Sequence, residues 1–311
     1  MAHLSGNEQA TVVTALKHAA PYIRMFKRKV FVLKAGGEAF VSPATTRALV
    51  EQVGILHEVG IRVVLVHGGG LQSTRLAETR GVPSQFIDGR RVTNKDALEI
   101  AATVLNDQIN PMILAAFQDL DVPAVGICGK DARVIKAHQR PRVVREGHDG
   151  ETVDYGYVGD IDDIDAEILF AHLNNGEVPV ISPMSAAADG TILNINADTV
   201  AAAVASAVGA EKLILATTAP GILETRDDPG SLISYIDIAG LAKLRDDGLL
   251  ADGMLPKAAA IEKALTGGVP RVHVISSQLP DSLLLEIFTN EGTGTLVVND
   301  IEHLSPAEQT S

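Results

Sequence analysis

Val30-Phe31-Val32-Leu33-Lys34-Ala35-Gly36-Gly37 is followed at Val63-Val64-Leu65-Val66-His67-Gly68-Gly69-Gly70 by a second stretch of the same design. In each, a short apolar run passes directly into glycines, and a helical pattern follows, over residues 45–59 after the first and 71–80 after the second. An apolar run without alternation marks a strand covered on both faces, and strands alternating with helices build βαβ units and a parallel sheet. The alternation continues with strand runs at 124–127, 178–181, 212–215 and 272–275 and helical patterns at 199–208 and 256–265. The chain is therefore expected to be α/β, with a mostly parallel, twisted sheet covered by helices. Between residues 130 and 165 the periodicity fails, and Gly, Asp, His and Arg interleave with short Val and Tyr runs, which predicts a hairpin-rich excursion. Upstream, residues 11–26 place Val12, Val13, Leu16, Ala19, Ala20 and Ile23 at helical spacing, with Lys17, Arg24 and Lys27 on the other side. That amphipathic helix either caps its own domain or docks on a neighbouring subunit.

The length, 311 residues, has room for two domains or for one large domain with two lobes. Aromatic residues make up 4% and Trp is absent, so the core has to come from Ala, Val, Leu and Ile, and an aromatic platform for sugars or single-stranded nucleic acid is unexpected. Lys plus Arg number 26 against 39 Asp plus Glu, a net charge of −13 that repels nucleic-acid phosphates, so no nucleic-acid partner is expected. The single cysteine, Cys128, has no intramolecular partner and no Cys/His cluster at zinc-ligand spacing around it, which fits a reducing cytoplasm. Residues 1–10 carry no apolar leader segment, and the apolar run at 200–209 is short and bounded by Asp198 and Glu211, so neither a signal peptide nor a membrane span is expected.

Chemistry concentrates where strands end. Glycines at the carboxyl end of a parallel strand let backbone N–H groups approach an anion, and the following helix N-terminus adds its positive dipole. Gly36, Gly37, Gly69 and Gly70 thus read either as tight turns or, taken as two adjacent pairs, as a phosphate cradle. Lys34 ends an apolar strand, where a cation is costly to bury unless it meets a negative charge such as a transferring phosphoryl group. Neither a Walker A sequence nor a spaced dinucleotide fingerprint is present. Alternation in Leu193-Asn194-Ile195-Asn196-Ala197-Asp198 puts Asn194, Asn196 and Asp198 on one face before an Ala-rich helix, with Asp198 either the helix cap or a site residue. In Asp252-Gly253-Met254-Leu255-Pro256-Lys257, Lys257 falls in a first helical turn, where the dipole disfavours a cation, so it either meets an anionic partner or lies in solvent.

With Gly89-Arg90-Arg91-Val92-Thr93, Tyr155-Gly156-Tyr157-Val158-Gly159, Pro220-Gly221-Ile222-Leu223 and Leu285-Glu286-Ile287-Phe288-Thr289 in the same order, the chain from about residue 11 to 298 resembles the amino-acid kinase family, and within it the acetylglutamate kinases. The resemblance implies a three-layer αβα sandwich in two lobes. It also implies transfer of a phosphoryl group from ATP, with Mg2+ on the nucleotide phosphates, to the side-chain carboxylate of N-acetyl-L-glutamate in arginine biosynthesis. Lys34 and Lys257 are then expected to neutralise the transferring group and Asp198 to hold both lysines. The implied acceptor residues are Gly69, Gly70, Arg91 and Asn194, and the implied nucleotide residues are Gly36, Gly37, Thr217, Thr218, Gly221, Met254 and Lys257. The implied division is an N-terminal extension over 1–28, an amino-acid lobe over 29–209 and a nucleotide lobe over 210–311.

The helix ending in Ala20-Pro21-Tyr22-Ile23 resembles the extension of arginine-inhibited members that assemble as dimers or interlaced hexamers. This implies arginine as an inhibitor, bound around His273, Glu286 and Gly292; the other reading of His273, inside a strand, is a core histidine. The chain departs from the family at Thr217-Thr218, where Thr-Asp is usual, at Ala35 and Leu71 in the two loops, over Ile275-Ser276-Ser277-Gln278, and at Asp281. Two alternatives follow: a related kinase with another acceptor, or a catalytically silent arginine-binding protein of the same fold.

Overall fold

A computed structural model describes residues 5–87, 90–128, 133–144, 152–225, 228–250 and 253–301. Gly89 and Asp252 of the motifs above, and part of the 130–165 stretch, lie outside the described residues.

The chain opens with helix α1 (Gly6–Phe26), started by a capping box between Ser5 and Glu8. Strand β1 (Val30–Ala35), a 3₁₀ turn (Gly37–Phe40), α2 (Pro43–Glu58) and β2 (Arg62–His67) form the first βαβ unit, and Ser42 with Pro43 starts α2. Next come α3 (Gly70–Thr79), a small hairpin of β3 (Phe86–Ile87) and β4 (Arg90–Arg91), and a long helical stretch of α4 (Lys95–Ala102), a π-helical segment (Thr103–Ile109) and α5 (Asn110–Gln118). Pro111 has no N–H to donate to the preceding turn, which accounts for the interrupted hydrogen-bond register. After β5 (Ala124–Cys128) the irregular stretch holds β6 (Ile135–Gln139), the pair β7 (Val143–Val144) and β8 (Thr152–Val153), and β9 (Gly159–Ile164). Then follow α6 (Ala166–Asn174), β10 (Val178–Ser182), β11 (Met184–Ala186), β12 (Ile192–Asn194), α7 (Ala197–Ala207) and β13 (Lys212–Thr217). The last elements are β14 (Tyr235–Asp237), α8 (Ile238–Asp246), α9 (Met254–Thr266), β15 (Val272–Ser276), α10 (Ser282–Phe288) and β16 (Thr295–Val298).

The main sheet has eight strands in the order β14-β16-β15-β13-β1-β2-β10-β5, all neighbours parallel except the antiparallel pair β15 and β16. Side-chain parity explains why it is covered twice. Val30 and Val32 of β1, Val64 and Val66 of β2, and Leu213 and Leu215 of β13 join one core, packed under α6, α7, α8 and α9. Phe31, Leu33 and Ala35, Val63 and Leu65, and Ile214 and Ala216 join the other, under α2, α5 and α10. The result is the three-layer arrangement expected. The irregular stretch supplies β6 and β9, antiparallel partners that join β11 and β12 in a second, four-stranded sheet beside the main one.

Helix α1 begins five residues earlier than its apolar pattern and buries only Phe26, leaving Val12, Val13, Leu16 and Met25 exposed. Its apolar stripe therefore covers little of its own chain. Among the described residues no helix is long and apolar enough to cross a membrane.

Candidate functional site

Parity also decides where the lysine of β1 goes. Lys34 shares the phase of Val30 and Val32, so it points toward the layer formed by α7 and α9. Asp198 lies in the first turn of α7 and Lys257 in the first turn of α9. The three meet there: Lys34 Nζ and Lys257 Nζ each lie 3.0 Å from Asp198 Oδ1, and all three side chains are buried. The helix cap is Asn196, whose Oδ1 accepts from the Thr199 N–H at 3.0 Å, leaving the Asp198 carboxylate to the lysines. Burial by itself would raise the Asp198 carboxyl, but the charges and hydrogen bonds of Lys34 and Lys257 outweigh it and hold the group well below the usual carboxylate range. Burial and the like charge of Lys34 lower Lys257, against the pull of Asp198 and Glu38.

Lys34, Asp198, Asn194, Asn196, Arg91 and all four cradle glycines line one cavity of about 470 Å³ at the carboxyl ends of β1 and β2. The two glycine loops are tied together by the Gly68 N–H, which donates to the Ala35 carbonyl at 2.8 Å. A Cβ on Gly69 would lie 2.9 Å from Ile109 Cδ1 and Leu105 Cδ2 of the π-helical segment, so a side chain there would force those two buried side chains to shift. It precedes α3, which starts without a side-chain cap, as does α9 after Gly253. Two helix N-termini with unbonded first-turn N–H groups thus face the region of the lysines.

Arg91 is braced: its Nη1 donates to Ser84 Oγ at 2.8 Å, its Nη2 to Thr74 Oγ1 at 2.6 Å and to the Gly70 carbonyl at 3.3 Å, and the guanidinium lies 4.6 Å from the centre of the Phe86 ring. The Tyr155-Gly156-Tyr157 motif anchors this hairpin. The Thr93 N–H donates to the Tyr155 carbonyl, the Tyr157 N–H to the Thr93 carbonyl, and Asn194 Nδ2 to Thr93 Oγ1 at 3.3 Å. Gly156 has φ +70, and a Cβ there would lie 2.3 Å from the Thr93 carbonyl oxygen, so the motif requires glycine.

Thr217, Thr218, Gly221, Met254 and Lys257 do not line this cavity; Lys257 is joined to it through Asp198, which does. Thr217 ends β13, the strand beside β1, and its carbonyl accepts from the Ser277 N–H at 2.6 Å. Gly221 is packed against Leu232 and Thr295, and Met254 follows the cavity-lining Gly253.

A second cavity, of about 370 Å³, lies on the other face of the sheet under α1 and α10. It is lined by His273, Glu286 and Gly292, together with Lys212, Tyr22 and Asn290. Lys212 Nζ lies 2.8 Å from His273 Nε2 and His273 Nδ1 lies 2.6 Å from Glu286 Oε1. An ammonium donates only, so Nε2 is the acceptor and Nδ1–H donates to the carboxylate, which makes this histidine neutral. Burial first, then Lys212, lowers its pKa to about 4. Glu286 is lowered too, because the His273 bond and the Thr293 N–H outweigh burial. Lys212 Nζ also sits 5.1 Å from the Phe26 ring centre, and Tyr22 hydrogen-bonds Asn290, so α1 forms one wall.

A profile of the amino acid kinase family matches residues 29–276, the span that holds both glycine loops, Asp198 and Lys257. The chain belongs to the amino acid kinase family. Among relatives of this amino acid kinase, the acetylglutamate kinase of Myxococcus xanthus is 45% identical over 291 residues, covering 92% of this chain and 94% of that one. Among solved structures, an N-acetylglutamate synthase from Neisseria gonorrhoeae in complex with coenzyme A and N-acetyl-glutamate superposes with a TM-score of 0.81 at 28% identity over 93% of this chain. The same synthase with coenzyme A and L-arginine also gives 0.81, at 27% identity and 93% coverage. The chain spans 63% of the synthase chain in the first and 65% in the second.

Several polar groups of this amino acid kinase were not legible as site residues. Glu38, in the 3₁₀ turn after Gly37, lines the first cavity, as do Arg90 and Arg140. Lys212 opens an apolar strand and is buried, so the cost argument applied to Lys34 would have found it. Arg140 had no such signal, because it sits in the aperiodic stretch.

Proposed function

We propose that the chain transfers the γ-phosphoryl group of ATP to the side-chain carboxylate of N-acetyl-L-glutamate, forming N-acetyl-L-glutamyl 5-phosphate in arginine biosynthesis. The observation that carries this reading is the buried Lys34-Asp198-Lys257 cluster at the carboxyl edge of the sheet, beside two glycine loops. A carboxylate oxygen attacks the γ-phosphorus, the bond from that phosphorus to the β,γ-bridging oxygen breaks, and ADP leaves. The attacking carboxylate is already ionised at neutral pH, so no general base is needed. What the protein must supply is alignment and positive charge. Lys34 and Lys257 face the transferring group, and Asp198 holds their ammonium groups in place while accepting little charge itself. Gly36, Gly37, Gly69 and Gly70 offer N–H groups to phosphate oxygens, and Arg91 and Asn194 hold the acceptor. Thr217, Thr218, Gly221 and Met254 border the nucleotide, which assigns residues 29–209 to the acceptor side and 210–311 to the nucleotide side. Magnesium on the nucleotide phosphates would supply further charge neutralisation, and with Asp198 engaged by the two lysines, Glu38 is the other carboxylate that lines the cavity.

The second cavity supports inhibition by arginine: Glu286 suits a guanidinium, His273 orients that carboxylate, and Gly292 leaves room beside it. The exposed apolar stripe of α1 supports self-association, as a dimer or hexamer, and the chain is read as a cytoplasmic enzyme. The test is a substrate panel with saturation kinetics, using 31P NMR to detect acyl phosphate from N-acetylglutamate, glutamate, aspartate, aminoadipate and carbamate. N-acetylglutamate should give the highest kcat/KM; a higher value for another acceptor overturns the assignment.

A further inference from the structure

Three guanidinium groups, those of Arg90, Arg91 and Arg140, line the first cavity. Two of them are occupied by protein. Arg140 grips Asp160, with Nε 3.0 Å and Nη2 2.5 Å from Oδ1, and lies 5.5 Å from the Tyr155 ring centre. Arg91 is braced by Ser84, Thr74, the Gly70 carbonyl and Phe86. Arg90 differs. Among the described residues its side chain has no hydrogen bond and no ion pair, although it is half-buried and close enough to Arg140 to feel its charge. Burial first, and then Arg140, lowers its pKa against the opposing pull of Tyr155 and Asp160. A guanidinium partly removed from water beside a second one is costly until an anion completes it.

The anion's place follows from the hairpin. Arg90 and Arg91 are consecutive residues of β4, paired with Ile87 and Phe86, and both line the same cavity. The acceptor has two carboxylates: one must lie by Lys34 and Lys257 to react, and the other must be held elsewhere in the same cavity. We infer that Arg90 is a second ligand of that non-reacting carboxylate, which is held between Arg90 and Arg91, so that Arg90 sets the preference for an acceptor with a free α-carboxylate. This rests on the reading of the chain as an N-acetylglutamate kinase.

The test uses the full chain with Arg90→Leu, Arg90→Gln and Arg90→Lys, assayed with N-acetyl-L-glutamate and with its α-carboxamide. Loss of a charge-assisted contact of this kind should raise KM for N-acetylglutamate about tenfold in Arg90→Leu, with the loss falling on KM and not on kcat or on KM for ATP. The ratio of kcat/KM for acid over amide should fall by a similar factor, and Arg90→Lys should recover part of it. An unchanged KM, or an equal rise for acid and amide, overturns the assignment, because a merely structural arginine would affect both alike. If Arg90→Leu does not melt cooperatively, the acid-to-amide ratio of Arg90→Gln and Arg90→Lys decides. Thermal shifts with N-acetylglutamate alone separate the two layers of the argument. A shift in wild type that is lost in the Arg90 variants upholds Arg90 even if no phosphoryl transfer is found, and no shift in wild type overturns both.

Discussion

Replacing Asp198 by Asn changes one atom and removes the charge that lets two ammonium groups share a buried site. Each lysine nitrogen lies 3.0 Å from the same oxygen. At an effective dielectric near 20 each contact is worth about 5 kcal/mol before desolvation is subtracted, and experience with broken buried pairs puts the net loss at about 3–5 kcal/mol. A chain of 311 residues unfolds with an entropy of about 0.65 kcal/mol/K, so the melting temperature should fall by about 5–8 °C. Activity should fall further. The amide keeps one acceptor for one lysine but no longer fixes both, and kcat should drop about 10²–10³-fold. The pH dependence carries a sign. In wild type the depressed carboxyl contributes stability above the ordinary carboxylate range, and that contribution is lost as pH falls through it. In the variant Lys257, already lowered by burial and Lys34, loses its counter-charge and drops further, so the unfolded chain binds more protons and stability recovers as pH rises toward the ordinary lysine range. Calorimetric melts across pH, with an acyl-phosphate assay on the same samples, read all three effects. A melting temperature within about 1 °C of wild type and a kcat within about threefold would refute the reasoning.

Gly69→Ala would drive a Cβ to 2.9 Å from Ile109 and Leu105, and denaturant melts should show about 1–3 kcal/mol of destabilisation together with lost activity; an unchanged midpoint contradicts this packing. His67 and His273 are both held at about 4, chiefly by burial, so each disfavours a proton in the folded state. Stability is then complete above the ordinary histidine value of 6.5 and lost as pH falls from there toward 4, and a flat melting temperature over that window would count against both neutral histidines. Glu286→Gln removes a carboxylate that accepts from His273, Thr293 and Gly294, and the arginine concentration for half-inhibition should rise about tenfold or more; an unaltered titration curve would take Glu286 out of the inhibitor site.

Much of the site was readable because it rests on parity and on the cost of burying charge. A lysine at the end of an apolar strand had to find an anion, and Asp198 is that anion. Alternation across Asn194, Asn196 and Asp198 predicts one shared face; the strand stops at Asn194 and Asn196 becomes the cap, yet all three line the cavity. The parallel sheet was legible from its uninterrupted apolar runs, whereas the second sheet was not, since short strands in an aperiodic stretch take their pairing from distant residues such as Met184 to Ala186. The π-helical segment before Pro111 has no signature in the sequence beyond that proline, because a shift of hydrogen-bond register inside a long helix leaves the apolar pattern almost unchanged. Glu38 and Arg140 carry no local signature, because a charged residue outside a regular strand or helix looks the same whether it faces a cavity or bulk water, and Arg90 stands beside Arg91 in a two-residue strand too short to show a face.

The central claim is that the two lysines held by Asp198 move a phosphoryl group onto a carboxylate. Trapping the acyl phosphate with hydroxylamine, in the presence of ATP, magnesium and N-acetyl-L-glutamate, tests it most directly when wild type and Lys257→Ala are run side by side. Hydroxamate from wild type, with Lys257→Ala folded and at least about a hundredfold slower, is the predicted result. Folded wild type that forms no hydroxamate, or a Lys257→Ala variant that forms it at the wild-type rate, would contradict the account.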